Sequence, residues 1–269
     1  MKARLRFPFL KLPLFALVSI SVFLSCATTG PEGKQSLIFI GADTEVSMGQ
    51  QAGKEVLAKT KALADTEWQN YVNRVGQSVA QFSQRKDLTY TFTVLDSKEI
   101  NAFALPGGPL YIYTGLLKLM DDEAELAAVL GHEVGHVDGH HAVKQMQQVV
   151  GINAIEGLAF GDKSPVAQQA LNMVLGIAMN GYSRGYELEA DRYGLIYMHN
   201  AGYDPQGTIR MFEKLAREGT GGSSVFEKLA ATHPETKERI AKLQIEIKKL
   251  PPGGKTGKQA YQEMKKRLH

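Results

Sequence analysis

The chain has a single cysteine, Cys26, in 269 residues, which excludes an internal disulfide and any metal site built from thiolates alone. It also lacks a run of the roughly 20 apolar residues that a membrane-spanning helix needs; the apolar stretch at residues 12–24 stops short. No repeat period is visible, so a solenoid or propeller is excluded. Charge of one sign is scarce as well: the formal balance is +3, and Lys2, Arg4, Arg6 and Lys11 near the start account for it. The remainder is close to neutral, with nothing to imply a nucleic-acid surface.

What is present begins with His132-Glu133-Val134-Gly135-His136. Two histidines four residues apart on a helix share one face, close enough to hold one Zn²⁺, with the glutamate between them beside the metal. Zinc takes neutral nitrogens in tetrahedral geometry, keeps one position for water and lowers that water's pKa to roughly 7. Glu133 is then placed to take the proton as the water attacks a carbonyl. Such a pattern arises by chance in about one chain in a hundred, so its setting decides. Asp122 and Glu125 form a capping-box-like start, and Leu126, Val129, Leu130, Val134 and Val137 recur at helical spacing. The pattern therefore lies on a helix with a buried side.

A third ligand is expected from Tyr186-Glu187-Leu188-Glu189-Ala190-Asp191. Glu187 and Asp191 share a helix face, whereas Glu189 points away. Glu187 is the expected ligand, and Asp191 is expected to accept a hydrogen bond from a ligating imidazole and fix its tautomer. Without the upstream pattern the same acids would read as a solvated surface helix.

These segments, with residues 101–108, 182–184, 201–205 and Thr232-His233-Pro234, resemble the zinc-dependent endopeptidases that include HtpX, the CAAX prenyl proteases, mitochondrial Oma1 and BepA-like proteins. The resemblance covers most of the chain after about residue 40. It implies a mostly helical α+β, zincin-like (gluzincin) metallopeptidase with a small sheet beside the zinc helix and one Zn²⁺ per chain. It also implies His132, His136 and Glu187 as ligands and Glu133 as catalytic base, the same assignments that the helix geometry gives. The chain departs from the family at His140, where members often carry arginine; His140 is four residues beyond His136 and is a competing ligand candidate. His233, which otherwise reads as a turn residue before Pro234, matches a loop histidine of BepA-like proteins. The resemblance gives it a catalytic or regulatory role, either as a latch on the zinc or as a stabiliser of the oxyanion.

Around the site, residues 101–105 and 110–114 read as strands joined through Pro106-Gly107-Gly108-Pro109, and residues 88–95 as a third. A sheet edge beside the zinc helix suits an extended peptide substrate. Trp68, Tyr71, Val72, Val75, Val79 and Phe82 keep helical spacing and are expected in the core. Two apolar stretches, residues 149–160 and 166–179, read as a helical hairpin and as a mobile cover over the site.

The basic start, the short apolar run and Leu24-Ser25-Cys26 resemble a bacterial lipoprotein signal, although Phe23 and Leu24 depart from its usual order. Lipidation at Cys26 explains the lone cysteine, and Ala27 in place of aspartate implies the outer membrane. The expected organisation is a signal at 1–25, a lipidated polar tether at 26–40, the peptidase domain at 41–250 and a basic tail at 251–269 that closes on a short amphipathic segment. No C-terminal repeat domain of the BepA kind is expected. The expected protein is a periplasmic, lipid-anchored zinc endopeptidase acting on misfolded or unassembled envelope proteins. Two rivals are a chaperone-like protein of outer-membrane assembly that holds clients in the same cleft, with zinc structural, and a hydrolase of some non-peptide bond.

Overall fold

The structure, a computed structural model, describes residues 26–149, 157, 164–220 and 236–268. The signal at 1–25, His233 with its flanking motif, and nearly all of the first apolar stretch of the expected hairpin lie outside the described residues.

A three-stranded sheet divides two apolar cores. Strands β3 (Thr91–Leu95), β4 (Ala102–Ala104) and β5 (Pro109–Tyr113) lie in the order β3-β5-β4, with β3 parallel and β4 antiparallel to the central β5. The three expected strands thus form, each shorter than or close to its predicted extent. Side chains alternate across a strand. Phe92, Val94, Ala102, Ala104, Leu110 and Ile112 enter the larger core, while Leu95, Phe103, Leu105, Tyr111 and Tyr113 enter the smaller one.

On the larger side lie α2 (Thr66–Ala80) and α4 (Glu123–Asp138). Trp68, Tyr71, Val72, Val75 and Val79 are buried there as their spacing predicts, and Phe82 packs against the same core. Asp122 caps α4 by accepting from the Glu125 amide at 2.9 Å, and Glu125 returns the interaction by accepting from the Asp121 amide at 2.8 Å. The sequence predicts one buried side for α4, but the helix is buried on nearly every side, including its acidic first turn. Those acids are matched: Glu123 by Arg74, Tyr71 and Tyr203, Asp122 by Arg210, and Glu125 by Lys214.

The smaller side holds α1 (Ala42–Lys59), α5 (His141–Val149) and α6 (Pro165–Asn180). Ala167, Ala170 and Val174 of α6 pack in one cluster with Phe103 and Leu105. The edge strand β4 is buried from both sides, Phe103 in this cluster and Ala102 and Ala104 in the larger core. A short α3 (Thr114–Leu119) leads from the sheet toward α4, and among the described residues no helix is long and apolar enough to cross a membrane.

The start of the described chain corrects the sequence reading, and its end fills it out. Residues 26–37 do not form a loose tether. Strands β1 (Cys26–Thr29) and β2 (Lys34–Leu37) make an antiparallel hairpin around Gly30-Pro31-Glu32-Gly33, where both glycines take positive φ (68° and 67°) and Gly33 N donates to Gly30 O at 3.1 Å. Its side chains are polar, so no hydrophobic alternation marks it, but Thr29 is fully buried and Gly30 N donates to Asp138 at the end of α4. The last amphipathic segment of the sequence is α10 (Lys258–Lys265), which drives Tyr261 into an edge-on cluster with Trp68 and Tyr71; the Tyr261 hydroxyl donates to Leu117 O at 2.7 Å. The remaining helices, α7 (Arg184–Asn200), α8 (Gln206–Thr220) and α9 (Thr236–Ile247), close the larger core around α4.

Candidate metal centre

Helices α4 and α7 cross with backbone against backbone. A Cβ on Gly194 would stand 2.6 Å from His132 N, and one on Gly135 would stand 2.8 Å from Ala190 O. Only hydrogen at these positions lets two helices approach so closely. The second free position of the HExxH pattern is glycine here for that reason.

This approach brings His132, His136 and Glu187 together. His132 Nε2 and His136 Nε2 are 3.0 Å apart, and each lies 3.4 Å from a different oxygen of Glu187. A tetrahedral zinc with bonds of about 2.0–2.1 Å separates its ligand atoms by about 3.3 Å, so the two nitrogens and the carboxylate stand at about the separations that such an ion requires. Two imidazole nitrogens and one carboxylate oxygen are also the donor types that zinc accepts. The residues present therefore fit a zinc ion, and among the described residues this is the one group of three or more histidine, cysteine or acidic side chains disposed to hold a metal.

The surrounding charges explain how these three side chains are held. Asp191 Oδ1 lies 2.9 Å from His132 Nδ1, which leaves Nε2 for the metal. Burial disfavours a charged His132, yet the hydrogen bonds to Asp191 and Glu187 push its pKa up to about 9; burial drives His136 well below its ordinary value. Asp191 is buried, which alone would raise its pKa, but Arg239 and His132 hold it below the ordinary value.

Arg239, on α9, gives no sign of itself in the sequence pattern. Its Nε and Nη2 each donate to a different oxygen of Asp191 at 2.6 Å, and Nη1 lies 2.9 Å from Glu187 Oε2. Its position six residues after His233, on the helix that follows the Thr-His-Pro segment, is the signal that could have drawn attention to it. Tyr182, in the sequence only part of a segment that matches the family, stacks its ring on His136 with centroids 4.0 Å apart. Glu133, which follows His132 in the chain, is buried, and its charge acts on both Tyr182 and Arg239.

His140 does not join the group. Helix α4 ends at Asp138, His140 turns out of it with φ 52°, and its ring meets Arg85 at 3.1 Å and Glu45 at 3.5 Å. Cys26 begins β1, opposite Leu37.

The sequence profile described as peptidase family M48 matches residues 67–247, from the start of α2 to the end of α9. The chain belongs to peptidase family M48. Curated relatives agree with this M48 assignment. The beta-barrel assembly-enhancing protease of Yersinia pestis is 27% identical over 239 residues, covering 85% of this chain and 49% of the relative. The mitochondrial metalloendopeptidase OMA1 of Schizosaccharomyces pombe is 31% identical over 209 residues, 76% of this chain and 61% of the relative. Metalloprotease LoiP of Escherichia coli is 31% identical over 218 residues, 79% of this M48 chain and 83% of the relative. The chain spans about half the length of the beta-barrel assembly-enhancing protease it matches.

Proposed function

We propose that this protein is a zinc-dependent endopeptidase in which His132, His136 and Glu187 hold the metal and Glu133 is the catalytic base. The observation that carries the reading is the approach of the His132 and His136 Nε2 atoms, 3.0 Å apart on the helix that also carries Glu133, to the two oxygens of Glu187 at 3.4 Å each. When bound, zinc supplies a Lewis acid that polarises the scissile carbonyl and acidifies water. Glu133 accepts the water's proton and delivers it to the departing amine. Asp191 holds the His132 tautomer, and Arg239 balances the carboxylates of Asp191 and Glu187 so that the site need not carry both charges unmatched. His233 acts on the same reaction as a latch or as an oxyanion donor.

The substrates we propose are unfolded or misassembled envelope proteins, presented as extended chains. The names of the beta-barrel assembly-enhancing relatives support this class. Because β4 is buried, its pairing with such a chain requires a covering element to move aside, and α6, which packs in one cluster with Phe103, is the part we assign to the mobile cover. A signal at 1–25 and a lipid on Cys26 would set the enzyme in the periplasm, at the outer membrane, with the hairpin and not a loose tether as its link to the anchor.

Metal removal tests the reading. Dialysis against a chelator is expected to abolish cleavage of an unfolded casein, and one equivalent of Zn²⁺ to restore it. Cleavage that survives complete removal of the metal contradicts it.

A further inference from the structure

The mechanism makes no use of His141 or Glu189, although both stand in line with the metal centre. His136 Nδ1 lies 2.9 Å from His141 Nδ1, and His141 Nε2 lies 3.2 Å from Glu189 Oε2. Glu189 is in turn held by the Tyr193 hydroxyl at 2.7 Å and by Lys34 of the hairpin at 3.1 Å. His141 is fully buried, and its ring stacks on Tyr186 with centroids 4.5 Å apart. At Gly139 a Cβ would come within 2.2 Å of His141 Nε2, so the missing side chain makes room for this ring.

Counting protons gives the line a direction. If His136 ligates through Nε2, its one ring proton sits on Nδ1 and is donated to His141 Nδ1. His141 then carries its own proton on Nε2 and donates it to Glu189, a carboxylate that can only accept. Each hydrogen bond fixes the next, and the partial negative charge passed inward makes His136 a better donor to a cation.

We propose that His141 and Glu189 are positioning residues that fix the His136 tautomer and strengthen its bond to the metal. The inference rests on the zinc reading above. All three acids of residues 187–191 then serve the centre, Glu187 at the metal, Asp191 behind His132, and Glu189 behind His136 by way of His141. Lys34 is largely exposed, so its pair with Glu189 is weak and the Tyr193 hydroxyl is the firmer support.

The test measures zinc affinity by competition with a chromophoric chelator, and the visible spectrum after cobalt substitution, for the full chain and its Glu189→Gln, His141→Asn and Lys34→Met variants. Glu189→Gln and His141→Asn are expected to weaken zinc binding by about 10- to 100-fold and to shift the cobalt bands. Lys34→Met is expected to stay within about threefold of wild type, as an exposed pair should. Zinc affinity and cobalt bands unchanged in a folded Glu189→Gln variant overturn the proposal, and this partly exposed position decides should His141→Asn fail to fold. Wild-type protein that binds no zinc overturns both this inference and the function it rests on. Zinc binding that falls in the variants, in a wild type that cleaves nothing, leaves the relay standing and overturns the peptidase reading alone.

Discussion

Gly194 of α7 lies against His132 of α4 so closely that a Cβ on it would sit 2.6 Å from the His132 amide nitrogen. The contact is backbone on backbone, so neither partner can rotate away. Gly194→Ala is expected to force the two helices apart, costing about 1–3 kcal/mol as over-packing does. Because the same crossing sets the distance between Glu187 and the histidines, zinc affinity should fall with stability. Calorimetric unfolding and chelator competition on one sample check both; unchanged zinc affinity in a destabilised variant would separate the crossing from the site.

Arg239 faces two buried carboxylates, Asp191 and Glu187. Removing one partner of a buried ion pair costs about 3–5 kcal/mol, because the other charge is left uncompensated. Arg239→Met is therefore expected to lower the melting temperature strongly, and more in chelator than in saturating Zn²⁺, since a bound cation returns part of the lost positive charge. Thermal unfolding with and without metal gives the comparison.

Tyr261 tests whether the lysine-rich C-terminal segment belongs to the domain. Its ring is fully buried beside Trp68 and Tyr71. Tyr261→Ala should cost about 3–5 kcal/mol, the range for emptying a buried aromatic site. Tyr261→Phe removes only the hydrogen bond to Leu117 O and should cost about 1 kcal/mol. Denaturant unfolding of the pair distinguishes a packed strap from a dispensable tail.

Acid should weaken the fold through Glu45 and Glu123. Burial would raise both pKa values, but His140 and Arg85 around Glu45, and Arg74, Tyr71 and Tyr203 around Glu123, hold them below the ordinary 4.5. A carboxylate with a depressed folded pKa contributes stability that is present above the unfolded value and lost as pH falls through the folded one. Stability is therefore expected to be flat on this account above about pH 5 and to fall below about pH 4.5. Glu123→Gln should show a shallower fall, measured as denaturant midpoints between pH 3 and 7.

Legibility from sequence follows the range of the interaction. His132, Glu133 and His136 are fixed by helical spacing alone, and Glu187 and Asp191 by a second helix whose acids have an obvious client; the structure brings these side chains together. Helix α2 and the three strands are visible through regular apolar spacing. Arg239 is not, because a lone arginine on an amphipathic helix looks like any solvated one until α9 closes over α7. Glu189 does point away from Glu187, as the helix period requires, yet this aims it at His141 and thus toward His136. The hairpin at 26–37 is hidden because it buries little beyond Thr29, too little to leave a period, whereas the segment at 258–265 shows its amphipathic pattern but not the partners of Tyr261. His140 is a ligand candidate only by helical spacing, which fails once the helix ends at Asp138.

The most direct measurement of the central claim is cleavage of unfolded casein by wild type and by Glu133→Gln at matched, measured zinc content. Glu133→Gln is expected to retain its zinc and to lose cleavage by at least about 100-fold, the scale of a missing general base. Equal cleavage by the two proteins, or zinc binding by both with no cleavage by either even after His233→Ala, would contradict the account and favour a protein that holds its clients without cutting them.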